Sequence, residues 1–237
     1  MFTSMCGRLN VLDDTSVFEL CEQLGLDLRA HQNVHQGRFI RATQTVEILI
    51  NDEKGLRRVP ATWWLLLDKC VGEDNVVGFK PSRYTSFNTR YDKLNVPRSA
   101  GYQSYRKQRC VVLVKGFGES QKVADGTMQY TDFLAEPDKC IALGGLYRVW
   151  QPGSVYSFSI ITTPAHPKIA SYHQKASPLM LNQDDDTLHQ WLDYRETNTQ
   201  LFDPLLTPRL PQNIIAQPID KPSLYNAIAP SVLIPRD

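Results

Sequence analysis

The stretch CVVLVKGFGE, residues 110–119, is the one from which the fold is read. Five apolar residues run unbroken from Cys110 to Val114 before Lys115, and a short run of this kind reads as a buried strand over Cys110–Lys115. Gly116-Phe117-Gly118-Glu119 follows, so an acid stands just behind an apolar strand. Such an acid either ends the strand in water or is buried on purpose, because a buried charge is costly unless something answers it. Working outward, Met128–Leu134, Cys140–Leu146, Val155–Thr163 and Asn213–Ile219 are β-like runs downstream. Upstream, Thr45–Asn51 and Leu56–Pro60 flank Asp52-Glu53-Lys54-Gly55 as a hairpin. Only two helices are convincing. Thr15–Leu24 carries Val17, Leu20, Cys21 and Leu24 on one face, with Asp14 or Thr15 to start it and Gly25 to end it. The second covers about Asp185–Arg195, with Leu188, Trp191 and Leu192 inward. Strands outnumber helices and do not alternate with them, which predicts an α+β domain of mostly antiparallel sheet. The Pro-, Asn- and Ser-rich segments Asn95–Ser104 and Thr207–Asn213 read as surface connections.

The 237 residues suffice for a proper core, and no apolar run approaches the roughly 18 residues of a membrane span. No signal peptide is visible, so the reading is a cytoplasmic protein, nucleoid-associated if the host is prokaryotic. Five scattered cysteines without a CxxC pair suggest reduced thiols and neither a zinc nor a redox motif. No metal, cofactor or membrane partner is implied, and a monomer is expected. The net charge of +1 hides an asymmetry. Lys80 to Lys115 holds nine Lys or Arg residues, Arg83 and Arg90 among them, against the single acid Asp92. Tyr84, Phe87, Tyr91, Tyr102 and Tyr105 are interleaved. Cations for phosphates and aromatic faces for unpaired bases suit single-stranded nucleic acid. The plainer reading is a solvated basic loop whose tyrosines pack on the domain.

Singly, the reactive residues say little. Cys6 reads most simply as a small buried hydrophobe, Asn88 as a turn residue, and His173 as a surface or satisfied core histidine. Their order says more. Met5-Cys6-Gly7-Arg8, Asn88-Thr89-Arg90, Gly116-Phe117-Gly118-Glu119 after a β-run, and His173 shortly before Pro178-Leu179 together resemble the SRAP (SOS-response-associated peptidase) family. Arg57–Trp64, Cys140–Tyr147, Phe158–Thr163 and Ile215–Ile234, with Pro218, Tyr225 and Asn226, extend the resemblance over nearly the whole chain. The match is remote. Ile40-Arg41-Ala42-Thr43 stands for the family's Asn-Val-Ala-Pro, Trp63-Trp64 for Trp-Gly, and Gly118 and Ser120 for aromatics beside the acid. His173-Gln174-Lys175-Ala176-Ser177-Pro178 has one residue more than His-x-Arg-Met-Pro.

The resemblance implies a single barrel-like domain with peripheral helices. It also implies an abasic-site processing enzyme whose cysteine, once N-terminal, joins covalently to abasic sites in single-stranded DNA. An N-terminal cysteine offers an amine and a thiol on adjacent carbons, so an aldehyde can be taken as an imine and closed to a thiazolidine. By the same resemblance Glu119 moves protons during loss of water, Asn88 holds the cysteine backbone or the opened sugar, and His173 serves the deoxyribose oxygen. Arg8, Arg90, Arg83, Arg41 and Trp63 are the expected DNA contacts. The family begins at Met-Cys, whereas four residues, Met1 to Ser4, precede Met5 here. They are expected to be a leader outside the 5–237 domain, through a start at Met5 or through processing. Two alternatives stand beside the crosslinking enzyme, which also implies AP-lyase activity. One is a thiol peptidase that removes its own leader, with Cys6 as nucleophile, His173 as base and Glu119 to orient it. The other is a non-catalytic module for single-stranded nucleic acid.

Overall fold

The computed structural model describes residues 7–26, 36–72, 76–151 and 153–237. In chain order its elements begin with β1 (Arg8–Val11), α1 (Thr15–Gln23), β2 (Gly37–Arg41), β3 (Thr45–Asp52), β4 (Gly55–Trp63) and the hairpin β5 (Leu67–Val71) and β6 (Val77–Pro81). Then come β7 (Asn88–Arg90), α2 (Tyr102–Lys107), β8 (Arg109–Val114), β9 (Gly116–Lys122), β10 (Met128–Ala135), β11 (Ile141–Gln151) and β12 (Val155–Thr163). β13 (Ser177–Pro178), α3 (Thr187–Leu192), β14 (Ile214–Ile219) and β15 (Val232–Ile234) complete them.

Two sheets carry the architecture. β11, β8, β3, β4 and β12 pair in that order, and pairing of β11 with β12 closes them into a five-stranded barrel. The neighbouring sheet runs β15-β14-β10-β9-β1-β2, with every neighbouring pair antiparallel. In the barrel, β12 runs parallel to β4 and to β7. The expected α+β, mostly antiparallel, barrel-like domain with peripheral helices is what the chain forms. The strand at β8 is buried along its whole length, as its unbroken apolar run requires. The hairpin turns where expected, with Asp52 paired to Gly55 and Gly55 at φ +87°.

One apolar cluster fills the space between the sheets. Phe117 and Phe133 stack at 5.1 Å, and Tyr172 meets Phe133 edge-on at 5.8 Å. Aromatic pairs of this geometry add about 0.5–1.5 kcal/mol beyond area burial. The second cluster lies beneath the helices. The Asp14 carboxylate accepts from the backbone N–H groups of Ser16 and Val17 to start α1, and Gly25 at φ +78° ends it. Val17, Leu20 and Cys21 are buried on its inner face. α3 is shorter than the expected helix and keeps Leu188, Trp191 and Leu192 inward. The expected surface connection Asn95–Ser104 runs into α2, and Tyr105 from that helix is fully buried against Trp191 and Phe202.

Candidate active site

β9 is where the site begins. The sequence suggested that the strand stops before Gly116, but the chain turns straight into a new strand, Gly116–Lys122, lying between β1 and β10. Successive side chains on a strand alternate faces. Leu9, Phe117 and Phe133 lie side by side in one row facing the core, whereas Arg8, Gly118 and Asp132 form the next row on the opposite face. Glu119, paired with Thr131, returns to the core side and is 3 % exposed.

The residue it meets there is His173. Its Nε2 lies 3.6 Å from Glu119 Oε2, and both side chains are 2 % exposed. The separation is ion-pair distance, longer than a good hydrogen bond. The loop carrying His173 is tied down at three points. The His173 backbone N–H donates to the Ile169 carbonyl at 3.0 Å, the Gln174 N–H donates to Gln121 Oε1 at 2.9 Å, and Tyr172 packs on Phe133. Burial pushes the His173 pKa below the ordinary value of 6.5; a backbone hydrogen bond at Ser120 opposes this, and the Lys175 charge adds to it. The imidazole is therefore neutral near pH 7, able to take a proton or pass one on beside a carboxyl group.

The other expected residues fall in several places. Cys6 lies outside the described residues. Asn88 stands on β7, opposite Ile160 of β12, on the barrel sheet rather than on the sheet of Glu119. It lines a cavity of about 380 Å³ together with Tyr84, Phe87, Arg90 and Lys93. Arg83 and Arg41 are exposed, and Arg41 lies over the Phe39 ring at 5.4 Å. Arg90 is exposed and paired with Asp92 at 2.8 Å. Trp63, expected at the DNA interface, is instead fully buried in the core. It stacks on Phe158 at 6.2 Å and donates its indole N–H to the Phe87 carbonyl at 2.8 Å. Its strand partners put it on the inner face of β4, so Trp64, half-buried beside Phe87, is the indole nearer solvent.

Arg8 is also more buried than a phosphate-binding arginine on an open surface. It is 7 % exposed, and its Nη2 lies 3.0 Å from Asp132 Oδ1. Arg38 reaches the other oxygen of Asp132 at 3.2 Å. Burial raises the Asp132 pKa, against the lowering charges of Arg8 and Arg38. Asp132 was missed from sequence; the one signal was an acid inside an otherwise β-like run. Beside Arg8 a cleft of about 190 Å³ is lined by Gly7, Phe39, Arg41, Gly118, Ser120, Tyr130 and Pro222.

The basic stretch Lys80–Lys115 does not form one charged surface. Arg109 is 3 % exposed and donates to the carbonyls of Trp191, Tyr105, Arg106, Asp193 and Glu196. Lys115 is taken up by Asp14 at 2.8 Å and by carbonyls of the 137–139 turn. Arg106 stacks on Tyr102 at 3.7 Å. Lys80, Arg83, Arg90, Lys93, Arg98 and Lys107 are exposed.

Among the described residues no group of three His, Cys, Asp or Glu side chains could hold a metal ion, and no helix is long and apolar enough to cross a membrane.

Fold and site together define a barrel-based α+β protein with a buried carboxylate–imidazole pair set one strand away from the start of its first strand. Residues 5–222 match the family SOS response associated peptidase (SRAP), and the chain belongs to that family. It is 23 % identical over 198 residues to the abasic site processing protein HMCES of Gallus gallus, covering 73 % of this chain and 56 % of that one. It is 24 % identical over 185 residues to HMCES of Xenopus tropicalis, covering 69 % of this chain and 52 % of that one. The chain thus spans about half the length of the curated relatives it matches. Among solved structures, a protein from Bordetella bronchiseptica shares the fold at a TM-score of 0.67 and 15 % identity, over 91 % of this chain and 100 % of that one.

Proposed function

We propose that this protein processes abasic sites in DNA, capturing them in single strands through an N-terminal Cys6 as part of a DNA damage response. The observation that carries the reading is the buried pair of Glu119 and His173, 3.6 Å apart, with Glu119 on the strand that pairs with β1. Membership of the family and likeness to proteins named for abasic site processing support it.

In this reading the Cys6 α-amine, whose ordinary pKa of about 7.7–8.0 leaves it partly neutral near pH 7, attacks the aldehyde carbon of the opened sugar. Glu119 delivers a proton to the carbinolamine oxygen, which departs as water and leaves an imine. The Cys6 thiol then adds across the C=N bond, its sulfur joining carbon and its proton passing to nitrogen. One water is released overall, and the product is a thiazolidine. His173 serves the sugar oxygen as the ring opens, Asn88 holds the sugar or the cysteine backbone, and Arg8, Arg41, Arg83 and Arg90 meet phosphates. A single chain is the acting unit.

The same pair would also suit a thiol peptidase acting on its own leader, with Glu119 orienting His173. One experiment separates the two. Protein with Cys6 first, its Cys6→Ala variant and the chain from Met1 are incubated with single-stranded DNA holding one abasic site, then run on a denaturing gel. The reading expects a shifted band that needs Cys6. No band from folded Cys6-first protein, with Met1–Met5 lost from the longer chain, would leave the peptidase.

A further inference from the structure

Asp132 is a buried acid that takes no part in the proposed chemistry. It is 5 % exposed on β10, directly across Gly118 of β9 from Arg8 of β1, with Arg38 on its second oxygen. Gly118 is what lets the pair meet. A Cβ there would stand 2.3 Å from Arg8 Cζ, so the guanidinium crosses β9 through the space that a side chain would fill. Arg8 Nη2 lies at ion-pair distance, 3.0 Å, from Asp132 Oδ1, and both Nη1 and Nη2 are buried with no hydrogen-bond acceptor among the described residues. Arg8 also lines the cleft of about 190 Å³ with Gly7, Arg41 and Ser120. A guanidinium anchored by one carboxylate, with donors left unfilled beside a cleft, is suited to receive an oxyanion.

We propose that Asp132 is a positioning residue: it clamps Arg8 across Gly118, and through Arg8 fixes the phosphate beside the captured sugar. This inference rests on the function proposed above. Its consequence is a split between rate and affinity. Two guanidiniums, Arg8 and Arg41, line the cleft, and Arg38 joins Arg8 on the one carboxylate, Asp132. Removing that carboxylate leaves phosphate attraction intact or stronger. It also frees Arg8 to move, and misplacing a reacting group by an ångström costs up to about a hundredfold in rate.

The test compares wild type, Asp132→Asn and Asp132→Glu, each with Cys6 first. It measures the rate constant of adduct formation at saturating abasic single-stranded DNA, and the Kd for the same strand carrying a reduced, unreactive abasic site. Expected for Asp132→Asn are a rate lower by about tenfold, a Kd unchanged or tighter, and rate recovery in Asp132→Glu. An unchanged rate in Asp132→Asn overturns the proposal. So does a parallel loss of rate and affinity, which marks a purely structural role. If Asp132→Asn does not fold, Asp132→Ser takes its place: a slower rate at unchanged or tighter Kd supports the clamp, and an unchanged rate or a parallel loss of rate and affinity overturns it. A wild-type protein that binds but forms no adduct refutes the function proposed above, and the clamp with it.

Discussion

Replacing Gly118 by Ala tests the packing on which the site depends. The added methyl would lie 2.3 Å from Arg8 Cζ and Nη2 and 2.5 Å from Nε, where ordinary contact needs well over 3 Å. A flexible surface arginine would step aside, but this one is buried and held at 3.0 Å to Asp132. Depriving a buried ion pair of one partner costs about 3–5 kcal/mol. Asp132 keeps Arg38 at 3.2 Å, so the expected loss lies at or just below the lower figure, about 2–3 kcal/mol. Urea unfolding should show this as a lower midpoint at unchanged slope. The cause is isolated by repeating the substitution in an Arg8→Ala background, where no side chain remains over position 118 for the methyl to displace. There Gly118→Ala should cost a few tenths of a kcal/mol at most, giving a coupling of about 2 kcal/mol between positions 8 and 118. A coupling below about 0.5 kcal/mol would refute the argument, because the cost would then lie in β9 itself.

Arg109→Met should destabilise by about 3 kcal/mol or more in thermal or urea unfolding, since it strips five carbonyls of a buried donor; it should leave the salt dependence of DNA binding unchanged. For His173 the folded pKa lies below the unfolded 6.5, so the unfolded state takes up its proton first. Its contribution to stability is full above about pH 6.5 and is lost as pH falls from there towards the folded value; His173→Gln should flatten that part of the stability–pH curve. Arg90→Ala, by contrast, should reduce the slope of log K against log salt for single-stranded DNA by about 0.7 and leave the melting temperature in place, because its partner Asp92 is also near the surface.

The strands that depend on apolar patterning were legible. Val155–Thr163 has the bounds expected of it, and the Asp52–Gly55 hairpin and α1 with its Asp14 start and Gly25 stop are where their residues imply. β9 was not, because Gly116 and Gly118 read as a strand end. Both are glycines because a neighbour passes too close for a Cβ: the Phe133 carbonyl at 2.4 Å in one case, Arg8 in the other. A tertiary approach of that kind leaves no periodic trace. Charge misled in the same way. Arg109 and Lys115 count as cations in a basic stretch, yet one is a buried carbonyl clamp and the other a tie between turn and helix start. Trp63 and Trp64 are adjacent and chemically alike, and only the strand register decides which faces the core. Glu119 and His173 could be named because their motif order is distinctive, but that they touch is a fact of the fold. Asp132, whose partners come from β1 and β2, carried no motif at all.

The central claim is tested most directly by intact mass spectrometry of the Cys6-first protein after incubation with an abasic single strand. The account predicts a species at the sum of protein and oligonucleotide less one water, stable to heat and borohydride. It should be absent in Cys6→Ala and formed about a hundredfold or more slowly in Glu119→Gln. Protein recovered only at its unmodified mass, or an adduct equally abundant in Cys6→Ala, would contradict it.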